Sequence, residues 1–89
     1  MTFAAYDSNG YLGDVASIGG WTAFVKWAAQ QDDELARLAR QGSSTDPIRL
    51  AVQLNSLSAP DPDVESVRAG LFALAQKAEE LLIISEGGE

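Results

Sequence analysis

An α+β fold follows from three features of this 89-residue chain. Asn9-Gly10 sits between two short runs rich in apolar and aromatic residues, and that pair favours a tight β-hairpin turn. From Trp21 onward apolar residues recur every three or four positions, the period of helices buried along one stripe. Near the C-terminus that period gives way to Leu81-Leu82-Ile83-Ile84, consecutive and partly β-branched, which predicts a short buried strand. The expected architecture is a small antiparallel sheet, made from the hairpin and the C-terminal strand, with three helices on one side. The competing arrangement is an all-α three-helix domain with an irregular N-terminal arm.

Residues 2–16 carry the hairpin. Two registers compete. A two-residue loop pairs Ser8 with Tyr11, whereas a type I turn followed by a Gly10 bulge pairs Asp7 with Tyr11. The second sets Tyr6 opposite Leu12 and Phe3 opposite Val15, joining apolar to apolar, and is preferred. The run Tyr6-Asp7-Ser8-Asn9-Gly10-Tyr11-Leu12 is similar to one unit of the YD-type repeats of large secreted β-proteins. Such repeats need many tandem copies to bury anything, and this one occurs once, so the likeness implies shared hairpin chemistry rather than kinship.

Ser17 or Gly19 is placed to cap the first helix, with Trp21 in its first turn. Trp21, Phe24, Val25, Ala28, Leu35, Leu38 and Ala39 fall on one stripe, which predicts one helix, with or without a kink, from about Trp21 to Gln41. Gly42 supplies its left-handed stop. Asp32 would lie in the middle of the apolar face of that helix. It must therefore meet a polar partner, or the helix must break there with an Asp capping the second half.

After a loop over Ser43–Asp46, Asp46-Pro47 marks a helix start, since proline in the first turn loses no hydrogen bond. This second helix runs to about Leu57 and is apolar nearly all round, which predicts burial on more than one side and a place at the centre of the core. Asp61-Pro62 repeats the device, and Asp63 and Glu65 add charge that suits the start of the third and longest helix. Gly70 interrupts its apolar stripe, and a close helix crossing is the expected reason. The chain is read as one domain over residues 1–89 with a frayed tail at 86–89.

Composition narrows the function. The chain has no His and no Cys, and a formal charge of −7 from 13 acidic and 6 basic residues. A Ser-His-Asp triad, an imidazole base, a thiolate nucleophile and a disulfide are therefore excluded, and no cofactor is expected. The six cations are scattered, which argues against direct nucleic-acid binding. No apolar run is long enough to span a bilayer, and none resembles a signal peptide, so no membrane association and a cytoplasmic location are expected.

The acidic clusters Asp32-Asp33-Glu34 and Asp61–Glu65 do not fit a calcium-loop pattern, and capping accounts for the second. No residue pair stands out as a glycosidase dyad. Gly19-Gly20 lacks the pattern of a phosphate loop and reads as a turn. What remains is surface contact. Trp27 lies off the apolar stripe beside Lys26, either closing the edge of the core or serving as an anchor for a protein partner, and Tyr6 and Tyr11 extend the same patch in that reading. The expected function is a non-enzymatic protein-interaction module with candidate contact residues Trp27, Tyr6, Tyr11 and Asp32 and a tendency to homo-oligomerise. The alternative is an acidic inhibitor or nucleic-acid mimic of the phage or mobile-element type, which requires carboxylates gathered on one face.

Overall fold

Ser8 and Asn9 reverse the chain between β1 (Thr2–Asp7) and β2 (Gly10–Ser17) in the computed structural model, which describes residues 2–86. The Asp7 carboxylate accepts a hydrogen bond from the Asn9 N–H at 2.8 Å, and Gly10 takes φ +119°. At the turn neither expected register holds. Asp7 lies opposite Gly10 and Tyr6 opposite Tyr11. Two register shifts then bring Ala5 opposite Gly13, Ala4 opposite Asp14, and Phe3 opposite Ala16 rather than Val15. Leu12 and Val15 are the extra residues. Each bulge lets two consecutive β2 residues approach the helices: Leu12 with Gly13, and Val15 with Ala16, are half-buried, while Tyr11, Asp14 and Ser17 stay exposed.

The C-terminal strand is present as β4 (Leu81–Glu86) and pairs antiparallel with β1. Glu86 is therefore the last strand residue, and the rest of the expected tail, 87–89, lies outside the described residues. A two-residue strand, β3 (Ser43–Ser44), replaces the expected loop and pairs with Leu82 and Leu81. The sheet order is β2-β1-β4-β3. The α+β class holds.

Four helices are found where three were expected, because the first one breaks. Helix α1 (Ile18–Ala28) is capped by Ser17, whose hydroxyl accepts from the Gly20 N–H at 3.3 Å. Helix α2 (Asp33–Gln41) starts afresh after Asp32, and Gly42, at φ +70°, ends it. The break turns the Asp32 side chain to solvent instead of into the core. Asp32 holds the cap position but its carboxylate caps nothing. That task falls to Gln53 of α3 (Pro47–Ser56): its Oε1 accepts from the Leu35 N–H at 2.9 Å while its Nε2 donates to the Asp32 carbonyl. One amide thus caps the orphaned Leu35 N–H and adds a second donor to the Asp32 carbonyl, which also accepts from the Ala36 N–H at 3.4 Å. Asp33 sits at φ +63°, a left-handed conformation that Asp tolerates better than most residues. Its carboxylate meets Arg49 at 2.7 Å.

One core cluster joins Trp21 and Phe24 of α1, Leu35 and Leu38 of α2, Leu50 and Leu54 of α3, and Val64, Val67, Leu71 and Leu74 of α4 (Pro62–Ala75) to Ala5 and Leu81 of the sheet. Gly13 allows α4 to close on β2, since a Cβ there would meet Leu74 at 3.1 Å. Glu34 is a buried acid. It accepts from the Ser44 hydroxyl at 2.9 Å and faces Arg37 at 3.6 Å, tying α2 to β3.

Two expectations about the helices are corrected. Helix α3 is buried on more than one side, packing against α2 and α4 through Pro47, Leu50, Ala51 and Leu54, but it is not the centre of the core: its remaining flank leaves Ile48 and Val52 exposed. Gly70 marks no close crossing, since a Cβ there would meet nothing within 4 Å.

Arg68 fastens α4 to the end of α3. Its guanidinium donates to the Leu54 carbonyl at 3.0 Å and to both oxygens of Glu65, at 2.8 and 2.6 Å. The Glu65 carboxyl is held below the usual carboxylate range, mainly by the Arg68 hydrogen bonds.

Urea denaturation tests the two helix assignments. Gln53→Ala lowers stability by about 1–2 kcal/mol, because the Leu35 N–H loses its cap and the Asp32 carbonyl loses one of its two donors. Gly70→Ala raises it by about 1 kcal/mol, the helix-propensity gain at an uncrowded site. A thermal-midpoint series against pH tests the Arg68 clamp. A carboxyl whose folded pKa lies below its unfolded value contributes stability above the unfolded pKa and loses it as pH falls through the folded one. Wild type therefore exceeds Glu65→Gln in midpoint at neutral pH, and the gap closes on acidification below the ordinary carboxylate range.

Candidate interaction surface

Side chains alternate across a strand, so the residues paired with Ala5 and Leu81 point to the helices and their neighbours point away. Two adjacent rows of the outward face cross the sheet, next to a further row at Ser17 and Thr2. One runs Tyr11–Tyr6–Leu82, the other Asp14–Ala4–Ile84. Tyr11 is 57% exposed, Leu82 46% and Ile84 39%, while Ala4 at the centre is fully buried.

The register explains each of these positions. The bulge at Leu12 keeps both Tyr11 and Asp14 on the outer side although they are three residues apart. The Tyr11 hydroxyl donates to the Asp14 carboxylate at 2.8 Å. The Tyr6 and Tyr11 rings meet edge-on, 5.5 Å between centroids at 68°, the geometry favoured by their quadrupoles. These contacts orient both rings. Across β1, Leu82 and Ile84 continue the apolar surface on β4.

The charge of this face is one-sided. None of the four strands contains Lys or Arg. The surface therefore offers aromatic and aliphatic area with a carboxylate at one end, and it can seat apolar side chains beside a cation.

Of the sequence candidates, Tyr6 and Tyr11 come together here. Trp27 does not join them. It packs from α1 as the last member of a core-side aromatic row, Phe3–Trp21–Phe24–Trp27, with successive centroids 5.3, 5.4 and 5.7 Å apart. It is half-buried and closes the edge of the core. Asp32 belongs to the α1–α2–α3 junction described above. Leu82 and Ile84 were not among the sequence candidates because four consecutive apolar residues read as a short buried strand, whereas here only Leu81 is buried and Ile83 half-buried. Once β4 is paired with β1, simple alternation finds them.

Elsewhere, a hollow of about 460 Å³ opens beside the start of α1, lined by Ser17, Gly19 and Gly20 but also by Asp63. That carboxylate opposes an anion at Gly19-Gly20. Among the described residues no group of three or more acidic side chains is arranged to hold a metal ion, and no helix is long and apolar enough to cross a membrane. Comparison with protein-family models, with curated proteins and with solved structures finds no match for this chain.

Trp27→Ala separates the core role from the surface role. It lowers stability by about 2 kcal/mol in urea denaturation, less than a fully buried Trp would cost. The amide chemical shifts of Tyr6, Tyr11 and Leu82 stay in place.

Proposed function

We propose that this protein is a non-enzymatic, cytoplasmic protein-interaction module that binds its partner through the outer face of the sheet. The observation that carries the reading is the cross-sheet group of Tyr11, Tyr6, Leu82 and Ile84 on the face turned away from the helical core. Contiguous exposed apolar surface of this kind costs solubility and typically marks a contact site. Tyrosine suits such a site, since it offers a large rigid ring and a polar tip. The hydroxyl–carboxylate bond between Tyr11 and Asp14 holds the ring ready before the partner arrives, which lowers the entropic cost of association.

The acidic-mimic alternative has less support. Asp46 and Asp61 cap α3 and α4, while Asp33, Glu34 and Glu65 pair with arginines, so these carboxylates serve the fold at separate places.

Capture from extracts of the native host tests the proposal. Immobilised wild type retains a protein that Tyr11→Ala and Leu82→Ser lose by at least tenfold, while both variants keep the wild-type circular dichroism and thermal midpoint to within a few degrees. A bound protein retained equally by both variants contradicts the assignment of the face. A complex that dissolves in modest salt and is indifferent to Tyr11 and Leu82 favours the acidic mimic instead.

A further inference from the structure

Helix α3 carries a second apolar surface, separate from the sheet face. Ile48 and Val52, 69% and 66% exposed, stand one turn apart and form a ridge. Beside the ridge, between α3 and α4, lies a groove of about 380 Å³ lined by Ala51, Asn55, Phe72 and Gln76 together with the ridge itself. No lining residue is charged, in a chain of net charge −7. The one charged residue of α3, Arg49, is turned to α2 and held by Asp33.

We propose that this flank binds a second copy of the same chain about a two-fold axis, the Ile48–Val52 ridge of each copy seated in the α3–α4 groove of the other. Three features identify a second copy as the occupant. A two-fold contact uses one patch twice, so the patch must complement itself, and this one holds a ridge and a groove side by side. The Asn55 and Gln76 amides each carry donors and acceptors, so each finds a complement in a copy of itself or of the other. Two copies with seven net negative charges repel each other, and contact through a wholly uncharged patch keeps carboxylates apart, whereas a basic partner would gain nothing there. The six residues are fewer than a third of the roughly 20–30 that each side of a standard interface supplies, so the dimer is weak and concentration-dependent.

Sedimentation equilibrium across a concentration series tests this on the full chain. Wild type moves from monomer to dimer mass as concentration rises. Val52→Arg and Ile48→Lys each weaken association at least tenfold, because each sets a cation in an apolar groove, and Leu82→Arg on the sheet face leaves it unchanged. Added salt leaves association unchanged or strengthens it, since it screens repulsion between the acidic bodies. Both α3 positions are exposed, and folding of each variant is checked by circular dichroism, so either one suffices if the other fails to fold. A monomer at every concentration overturns the proposal. So does association that survives both α3 substitutions, or that is abolished by Leu82→Arg.

Discussion

The pairing of β4 with β1 governs everything else in this molecule. β4 lies inside the sheet, between β1 and β3, and opposes Ala5 with Ile83. That single register sends Leu81 into the helical core and Leu82 and Ile84 outward. A slip of one residue would exchange the two sets, burying the outer pair and expelling Leu81. The same strand brings the C-terminal segment back to the N-terminal hairpin, so the sheet closes the chain on itself without a disulfide. Ser44, paired with Leu81, also hydrogen-bonds the buried Glu34. The register therefore reaches the α2 helix as well as the surface.

The hairpin solves a related problem. β2 is the longest strand and lies at the sheet edge, where unpaired backbone invites a second sheet. Its two bulges break the alternation that an incoming strand would need. They also let Gly13 and Ala16 approach the helices while Tyr11 and Asp14 stay together outside. Edge protection and the shaping of the outer face arise from the same irregularity.

The strongly patterned parts of the fold were legible in the sequence. Asp46-Pro47 and Asp61-Pro62 start α3 and α4 where capping chemistry places them, and Gly42 stops α2. The strand at 81–86 follows from the change of period. What failed depended on distant partners. Neither Asp32 nor its neighbours reveal that Gln53, twenty-one residues away, caps the broken helix. Apolar residues around α3 suggested burial on more than one side, which its packing on α2 and α4 supplies, and a place at the centre of the core, which it lacks: its position at the rim leaves Ile48 and Val52 uncovered. Gly70 has no packing reason in the structure. Of the candidate contact residues, Tyr6 and Tyr11 lie together on the outer face, whereas Trp27 takes the first of its two sequence readings and closes the edge of the core; periodicity alone could not choose, since it places a residue on a helix without saying which side of the sheet that helix occupies.

The central claim is the register, and it is open to direct measurement. In methyl-labelled protein at low concentration, a soluble paramagnetic agent reports exposure while cross-strand NOEs report pairing. The account predicts strong relaxation of the Leu82 and Ile84 methyls, protection of the Leu81 methyls, and contacts joining Ala4 to Ile84 and Tyr6 to Leu82. Protected Leu82 and Ile84 with exposed Leu81, or Ala4 paired with Ile83, would contradict it.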